Sequence, residues 1–561
     1  MIKLRIGEDM EWYKKEVGYQ IYPRSFFDSN GDGIGDLVGI TKKLKYLKSL
    51  GVGIIWLGPI YKSPMDDNGY DVADFYNIDE DYGTIKDLRN LVDKAHKMNI
   101  RVVMDLILNH TSDEHPWFIE SRKSKDNKYR EYYIWQKGRI VDNMEVEPTN
   151  WASFFHGSAW KKDKLTGEYY MKIFSDKMPD LNWKSEALRK DMHKMIKFWC
   201  DFGIDGFRVD AVAHLDRDEF TDSVGEGKYI GDWKRFSNLR KVYDYLEEIN
   251  EKVLSKYDCF TVGEVGGGAS LEDALKYVAY DHNRLNMVFT FDHNWRNDGF
   301  NSFRDEFMGE IDLLALKEDF ARFQKGLYGK AWHALYWLNH DHPRVMSQYG
   351  DVAEHKLSAK MLATLLYFMR GTPFIYNGEE IGMTNGDFES IDDFRDLPTI
   401  KNYHQQLKRH PEKHVLTHIK TVSRDNSRTP MQWDKTENAG FSEGTPWIKV
   451  NQNYKWLNVK SQLKDFDSIW HYYKKIIKMR KLFIDTVVDG TFEMVDASND
   501  KVFSYIRKGS KRLLIVCNFT NEDFDYDINM PVKHIILGNY RKHKPNKLRK
   551  YEAIVLELED E

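Results

Sequence analysis

The chain has 561 residues, too many for one hydrophobic core, so two or three domains are expected. Hydrophobic residues make up 41% and charged residues 30%, with a formal net charge of −5. That balance excludes wholesale disorder, and it lacks the clustered Lys and Arg that nucleic acid or an acidic membrane would demand. Cys200, Cys259 and Cys517 lie far apart in sequence without metal-ligand spacing, which suits free thiols in a reducing compartment better than a disulfide framework. No apolar signal-peptide core opens the chain and no stretch reaches bilayer-spanning length, so a cytoplasmic location is expected. Aromatic residues reach 14%; aromatic faces stack on pyranose rings, although core packing also uses them.

Short apolar runs alternate with amphipathic helical patterns. In chain order the runs are VGYQIYP (17–23), GIIWLGP (53–59), RVVMDLILNH (101–110), DGFRVDAV (205–212), FTVGEV (260–265), MVFTFD (287–292), ALYWLNHD (334–341) and PFIYNGEE (373–380). Eight buried strands separated by helices predict an α/β fold, a (β/α)8 TIM barrel. Most of these runs start apolar and end polar, as expected where catalytic groups gather at the C-terminal ends of barrel strands. A doubly wound open sheet competes, but no Gly-rich fingerprint follows the first run. Residues 111–182 are too long for an unstructured loop and read as a small inserted domain after the third strand. The barrel then comprises 1–110 and 183–482. Period-two runs such as VFSYIRK and RLLIVCNF place an antiparallel β-sandwich domain at 483–561.

Three acids, Asp210, Glu264 and Asp341, end three of the runs, and a barrel brings such ends to one pocket. Retaining hydrolysis of a glycosidic bond needs a carboxylate nucleophile and a protonated carboxylic acid, about 5–5.5 Å apart. Arg208 lies two residues before Asp210, on the same strand face, and is expected to hold it ionised. Glu264, in VGEVGGG, has fewer cations nearby in sequence and is expected to stay protonated near neutrality. Strand-end acids also serve as structural ion-pair members; three at three strand ends argue for a site.

The motifs DLILNH (105–110), GFRVDAVAH (206–214), TVGEV (261–265), LNHDHPR (338–344) and MPDLN (178–182) together resemble the α-amylase family of glycoside hydrolases. YQIYPRSFFDSNGDGIGD (19–36) and SRDNSRTPMQW (423–433) are similar to stretches of its oligo-1,6-glucosidase and α-glucosidase group. The resemblance implies Asp210 as nucleophile, Glu264 as acid/base and Asp341 as transition-state acid. It implies His110 and His340 as binders of glucose hydroxyls, and Arg208 as support of the nucleophile. Asp67 and Tyr70 would close that subsite and Arg424 would anchor the same sugar. A blind pocket of this kind implies release of single glucose units from non-reducing ends.

Asp28, Asn30, Asp32 and Asp36 place oxygen-bearing side chains at alternate positions, a spacing that wraps a hard cation; an Asx-rich turn is the competing reading. The resemblance implies a structural Ca2+ or Mg2+ here, with the Ile34 carbonyl as a further ligand, and no organic cofactor. Ala211, following the nucleophile, stands where α-1,6-preferring members usually carry valine. Its small side chain leans towards α-1,4 bonds, hence maltose and malto-oligosaccharides. Oligo-1,6-glucosidase, hydrolysis of sucrose or trehalulose-type disaccharides, and hydrolysis of phosphorylated trehalose are the alternatives. Isomerase activity is disfavoured because the stretch 291–300 lacks the Arg/Asp-rich loop of sucrose isomerases. A catalytically dead scaffold or transporter partner would have lost the acids. The expected partner is a small saccharide, with neither nucleic acid nor membrane, and the chain is expected as a monomer or homodimer.

Overall fold

A computed structural model of the chain describes residues 11–266, 269–297, 309–544 and 546–560. The eight apolar runs form eight strands: β1 (Gly18–Ile21), β2 (Ile54–Leu57), β3 (Arg101–Ile107), β4 (Gly206–Asp210), β5 (Phe260–Glu264), β6 (Met287–Phe289), β7 (Ala334–Leu335) and β8 (Thr372–Tyr376). Every ladder between them is parallel, in the order β6-β5-β4-β3-β2-β1-β8-β7, and β6 lies against β7 to close the barrel. Both faces of these strands are covered, which is why they read as near-continuous apolar runs. Ile54, Trp56, Val103, Phe260, Val262, Met287, Phe289 and Phe374 fill the interior.

The surrounding helices are set by local signals. The helix Leu37–Leu50 starts where Asp36 accepts from the Gly39 N–H and stops at Gly51, whose φ of 109° only glycine adopts readily. The helix Ile85–Lys97 opens with a Thr84–Asp87 capping box.

The chain leaves the barrel after β3 and builds a three-stranded antiparallel sheet from Trp135–Gln136, Tyr169–Met171 and Trp160–Lys162. Trp151, Trp160, Met171 and Ile173 form its core with Phe236. It returns beside its exit, with Asp180 bridging antiparallel to His110. Arg217, beyond β4, ties this junction: it donates to Asn109 Oδ1 at 3.1 Å, to Asp180 Oδ2 at 2.8 Å and to the His214 carbonyl.

Near the C-terminus, five antiparallel strands (Thr491–Val495, Val502–Lys508, Arg512–Asn518, Val532–Gly538, Ala553–Leu558) form one sheet. The pair Phe524–Asp525 and Lys547–Leu548 lies over one face, with Val502, Leu514, Val516, Leu548 and Ile554 between. The other face packs on the barrel helix His355–Tyr367. Among the described residues no helix is long and apolar enough to cross a membrane. Cys200 and Cys259, distant in sequence, meet as neighbouring free thiols, a pairing that their spacing did not suggest.

Candidate active site

Parallel register sets Val209 of β4 beside Gly263 of β5, and one residue further each strand ends in an acid, Asp210 and Glu264. Arg208 shares a strand face with Asp210 and lies opposite Asp105 of β3. Its guanidinium donates to Asp210 Oδ1 at 2.6 Å, to Glu264 Oε2 at 2.5 Å and to Asp105 Oδ1 at 3.1 Å. One buried cation is therefore divided among three carboxylates.

Glu264 keeps the raised titration expected of it, although the neighbouring strand supplies Arg208 directly. The division corrects the other expectation: Arg208 does not hold Asp210 in the ordinary carboxylate range. Burial pushes Asp210 up to about 7, and the shared arginine only partly offsets this against the negative charges of Asp105 and Asp341. Burial likewise raises Glu264 to about 7, with Asp210 and Asp341 adding to it. The two acids are poised to hold a proton between them near neutrality.

Asp341 behaves oppositely. It lies beyond the short β7, and its Oδ1 accepts from Arg424 Nη1 at 2.9 Å and Arg428 Nη2 at 3.2 Å. Burial opposes its charge, but it remains far below the ordinary carboxylate range. The adjacent His340, whose Nε2 lies 3.2 Å from Asp341 Oδ2, and the two arginines together hold Asp341 ionised, although burial disfavours charge on His340 itself.

The remaining sequence candidates converge on the same place. Tyr70 donates to Asp105 Oδ2 at 3.0 Å, lies 2.7 Å from His340 Nε2, and stacks on that imidazole with centroids 5.2 Å apart. Gln20 Nε2 lies 2.8 Å from His340 Nδ1 and fixes the ring from β1. Asp67 accepts from Arg424 Nη2 at 3.0 Å, joining the loop after β2 to the segment after β8. His110 is buried and neutral, shifted down to about 3 by its burial. Its Nε2 has no hydrogen-bond partner, an unmet requirement that a sugar hydroxyl would satisfy. Asp67, Tyr70, His110, Asp210, Glu264, Asp341 and Arg424 all line one cavity of about 600 Å³, with Phe155, Phe174 and Trp295 as aromatic walls.

Sequence reasoning missed four contributors. Asp105 interrupts the apolar β3 run, and a lone acid inside a buried strand could have flagged it. Arg428 lies in SRDNSRTPMQW, four residues after Arg424. His342 lies in LNHDHPR and lines the cavity. Asp396 accepts from Arg424 Nε at 2.9 Å and Arg428 Nη1 at 3.3 Å, aiming both arginines; in sequence it looks like a helix cap, which it also is. The isomerase argument over 291–300 falls partly on residues 298–300, outside the described residues.

Asp28, Asn30, Asp32, Ile34 and Asp36 form one tight loop after β1. Asp28 accepts from the N–H groups of Asn30, Gly31 and Gly33 and from Ser442 Oγ. Asp36 accepts from Ser29 N and Gly39 N, and Asp32 from Ile34 N and Asn30 Nδ2. The carboxylates turn to the loop's own donors, and among the described residues no group of three or more His, Cys, Asp or Glu is arranged to hold a metal ion.

Comparison with known proteins fits this architecture. The family described as "Alpha amylase, catalytic domain" matches residues 20–490, and that described as "Alpha amylase, C-terminal all-beta domain" matches 492–547. The oligo-1,6-glucosidase of Bacillus cereus is 47% identical over 98% of this chain and 100% of its own length. The trehalose-6-phosphate hydrolase of Bacillus subtilis (strain 168) is 45% identical over 91% of this chain and 90% of its own. Among solved structures, isomaltulose synthase from Klebsiella sp. LX3 matches with a TM-score of 0.93 at 37% identity, covering 98% of this chain and 100% of that one. With strand-end acids in one cavity and these matches along nearly its whole length, the chain belongs to the α-amylase family of glycoside hydrolases, in the group of oligo-1,6-glucosidases and α-glucosidases.

Proposed function

We propose that this protein is a retaining, exo-acting α-glucosidase that releases glucose from the non-reducing ends of short α-glucosides, with a lean towards α-1,4 bonds. The observation that carries the reading is the single guanidinium of Arg208 spanning Asp210 and Glu264. Two acids close enough to share it, both poised near neutrality, suit double displacement. Asp210 attacks the anomeric carbon as Glu264 gives its proton to the departing glycosidic oxygen. Glu264, now a carboxylate, takes a proton from water as that water attacks the glucosyl–Asp210 ester, which frees Asp210. Asp341, kept ionised by Arg424 and Arg428, offers negative charge to the oxocarbenium-like transition state. The Asp67–Arg424 bridge supports a blind end that admits one glucose, and His110 would bind its hydroxyls. His340 would join it by exchanging Tyr70 for the sugar, since Gln20 and Tyr70 engage both of its ring nitrogens.

Ala211 lines the cavity beside the nucleophile, and its single methyl leaves the aglycone side open, which supports α-1,4 substrates. Oligo-1,6-glucosidase activity is the nearest alternative. Phosphorylated trehalose fits less well: among the described residues lining the cavity, Arg424 is the only Lys or Arg, and three carboxylates already engage it.

The loop 28–36 would hold Ca2+ or Mg2+ in a structural role. Its three aspartates pair with no Lys or Arg among the described residues, which leaves room for a cation beside the hydrogen bonds they already accept. Asn30 and Asp32 would have to exchange their present partners for the ion. The three free thiols support a reducing, cytoplasmic setting, which cell fractionation would test.

Glucose release from maltose by the wild-type and Asp210→Asn proteins tests the central reading. The variant should lose activity by about 10³-fold, and NMR of the wild-type reaction should show α-glucose appearing first. Equal activity in the two proteins, or β-glucose as the first anomer, would exclude the mechanism.

A further inference from the structure

Among the described residues that line the cavity, two buried side-chain nitrogens lack any hydrogen-bond partner: His110 Nε2 and His342 Nε2. The first belongs to the glucose subsite. The second is unexplained. His342 is 5% exposed, and an imidazole nitrogen buried beside a cavity without a partner carries a desolvation cost that a ligand hydroxyl would remove.

The surroundings of His342 locate it on the leaving-group side. Its ring packs against Phe291 at 5.9 Å, Trp295 at 5.8 Å and Tyr336 at 6.2 Å between centroids. Phe291 in turn lies within 4 Å of where a Cβ on Gly266 would be, two residues after Glu264. The closed glucose end, by contrast, is built from Asp67, Tyr70, His110 and Arg424. Phe291 and Trp295 line the cavity with His342 and Asp292, so an unpartnered imidazole nitrogen sits within a largely aromatic wall near the acid/base. A sugar ring presents that combination, an apolar C–H face with hydroxyls around its rim, whereas a simple aryl group offers no hydroxyl.

We infer that His342 Nε2 hydrogen-bonds a hydroxyl of the aglycone sugar, making it a specificity-determining residue for saccharide over non-saccharide leaving groups. This rests on the α-glucosidase reading above and extends it to the leaving-group side. His342 also stays neutral, since burial brings it down to about 4 against the opposing pull of Asp341. Its nitrogen therefore exchanges hydrogen bonds with a neutral hydroxyl rather than recruiting an anion.

The test compares kcat/KM on maltose, isomaltose and p-nitrophenyl α-D-glucopyranoside for the wild-type, His342→Ala and His342→Gln proteins, together with inhibition by free glucose. In His342→Ala the ratio of maltose to aryl-glucoside kcat/KM should fall about ten-fold, the loss of one hydrogen bond to substrate. His342→Gln, which keeps a donor and an acceptor in a side chain of similar reach, should recover most of that ratio. The glucose inhibition constant should move less than about two-fold, because glucose fills the closed end. A uniform loss on all three substrates would overturn the inference and assign His342 to positioning Asp341. An unchanged ratio in both variants would overturn it equally. If the wild-type protein releases glucose from neither disaccharide, the glucosidase reading itself fails, a result separate from any effect of the variants.

Discussion

Ala211 concentrates the linkage question in one residue. It follows the nucleophile and adopts φ 45° and ψ 33°, the left-handed region that non-glycine residues seldom occupy and β-branched ones resist. Strain of this kind costs about 1–3 kcal/mol and persists where the fold overdetermines it. Here the strands on either side fix Asp210, and the turn Val212–His214 follows at once. Valine at 211 would add bulk to the aglycone side of the cavity and further strain to the turn. Ala211→Val should therefore reduce kcat/KM on maltose about ten-fold more than on isomaltose, measured alongside a melting curve that separates folding loss from selectivity. Equal losses on the two disaccharides would show that linkage is read elsewhere. At this scale the sequence carried much of the site. Asp210 and Glu264 were legible because several acids ending buried strands argue for a shared site, and Arg208 because it stands two residues before Asp210 on the same strand face. The charge states were not legible. They depend on Arg208 being divided among three acids from three strands, and on two arginines reaching Asp341 from a segment some eighty residues later. Spacing along the chain encodes neither.

The eight barrel strands were readable as elements because burial on both faces makes each a dense apolar run. The junction with the inserted domain was not, since Arg217, Asn109 and Asp180 meet only in three dimensions. The loop 28–36 shows how one element can serve two ends. Asp36 caps the helix Leu37–Leu50, and Asp28 fastens the loop to Ser442 in the long segment that also carries Arg424. A cation bound among these aspartates would therefore brace both the helix between β1 and β2 and the segment that carries Arg424. Removing it with EDTA should lower the melting temperature, and restoring Ca2+ or Mg2+ should recover it, as follows when an ion binds only the folded state. Differential scanning fluorimetry reads this directly. An unchanged midpoint after denaturation and refolding in chelator, which gives access to any occluded ion, would remove the ion from the account and leave the loop as a hydrogen-bonded turn.

The molecule as a whole carries many buried titratable groups, and their signs combine into a definite pH dependence. Burial raises Asp71, Asp105 and Asp425 to about 6, Asp210 and Glu264 to about 7, and Glu379 to about 8. Unfolded, these carboxyls titrate near 4, so between pH 4 and 8 the folded chain binds more protons than the unfolded one. Their contribution to stability is complete below pH 4 and is lost as pH rises through 6 to 8. Burial also lowers His110, His115, His293 and His333 to about 3 and His214 to about 4. Unfolded histidines titrate near 6.5, so these groups favour folding increasingly as pH rises to that value and then contribute no further slope. Below pH 6.5 the two sets oppose each other; from 6.5 to 8 only the acids remain. The melting temperature should therefore fall over that interval, by on the order of a few °C. The active-site pair supplies part of the slope, because an enzyme that stores uncompensated charge for catalysis loses stability there. Replacing both acids with neutral amides, Asp210→Asn with Glu264→Gln, should raise the melting temperature more at pH 8 than at pH 6. A midpoint that climbs between pH 6.5 and 8 in the wild-type protein would show that these carboxyls are ionised throughout, with their charge fully met by Arg208 and its neighbours.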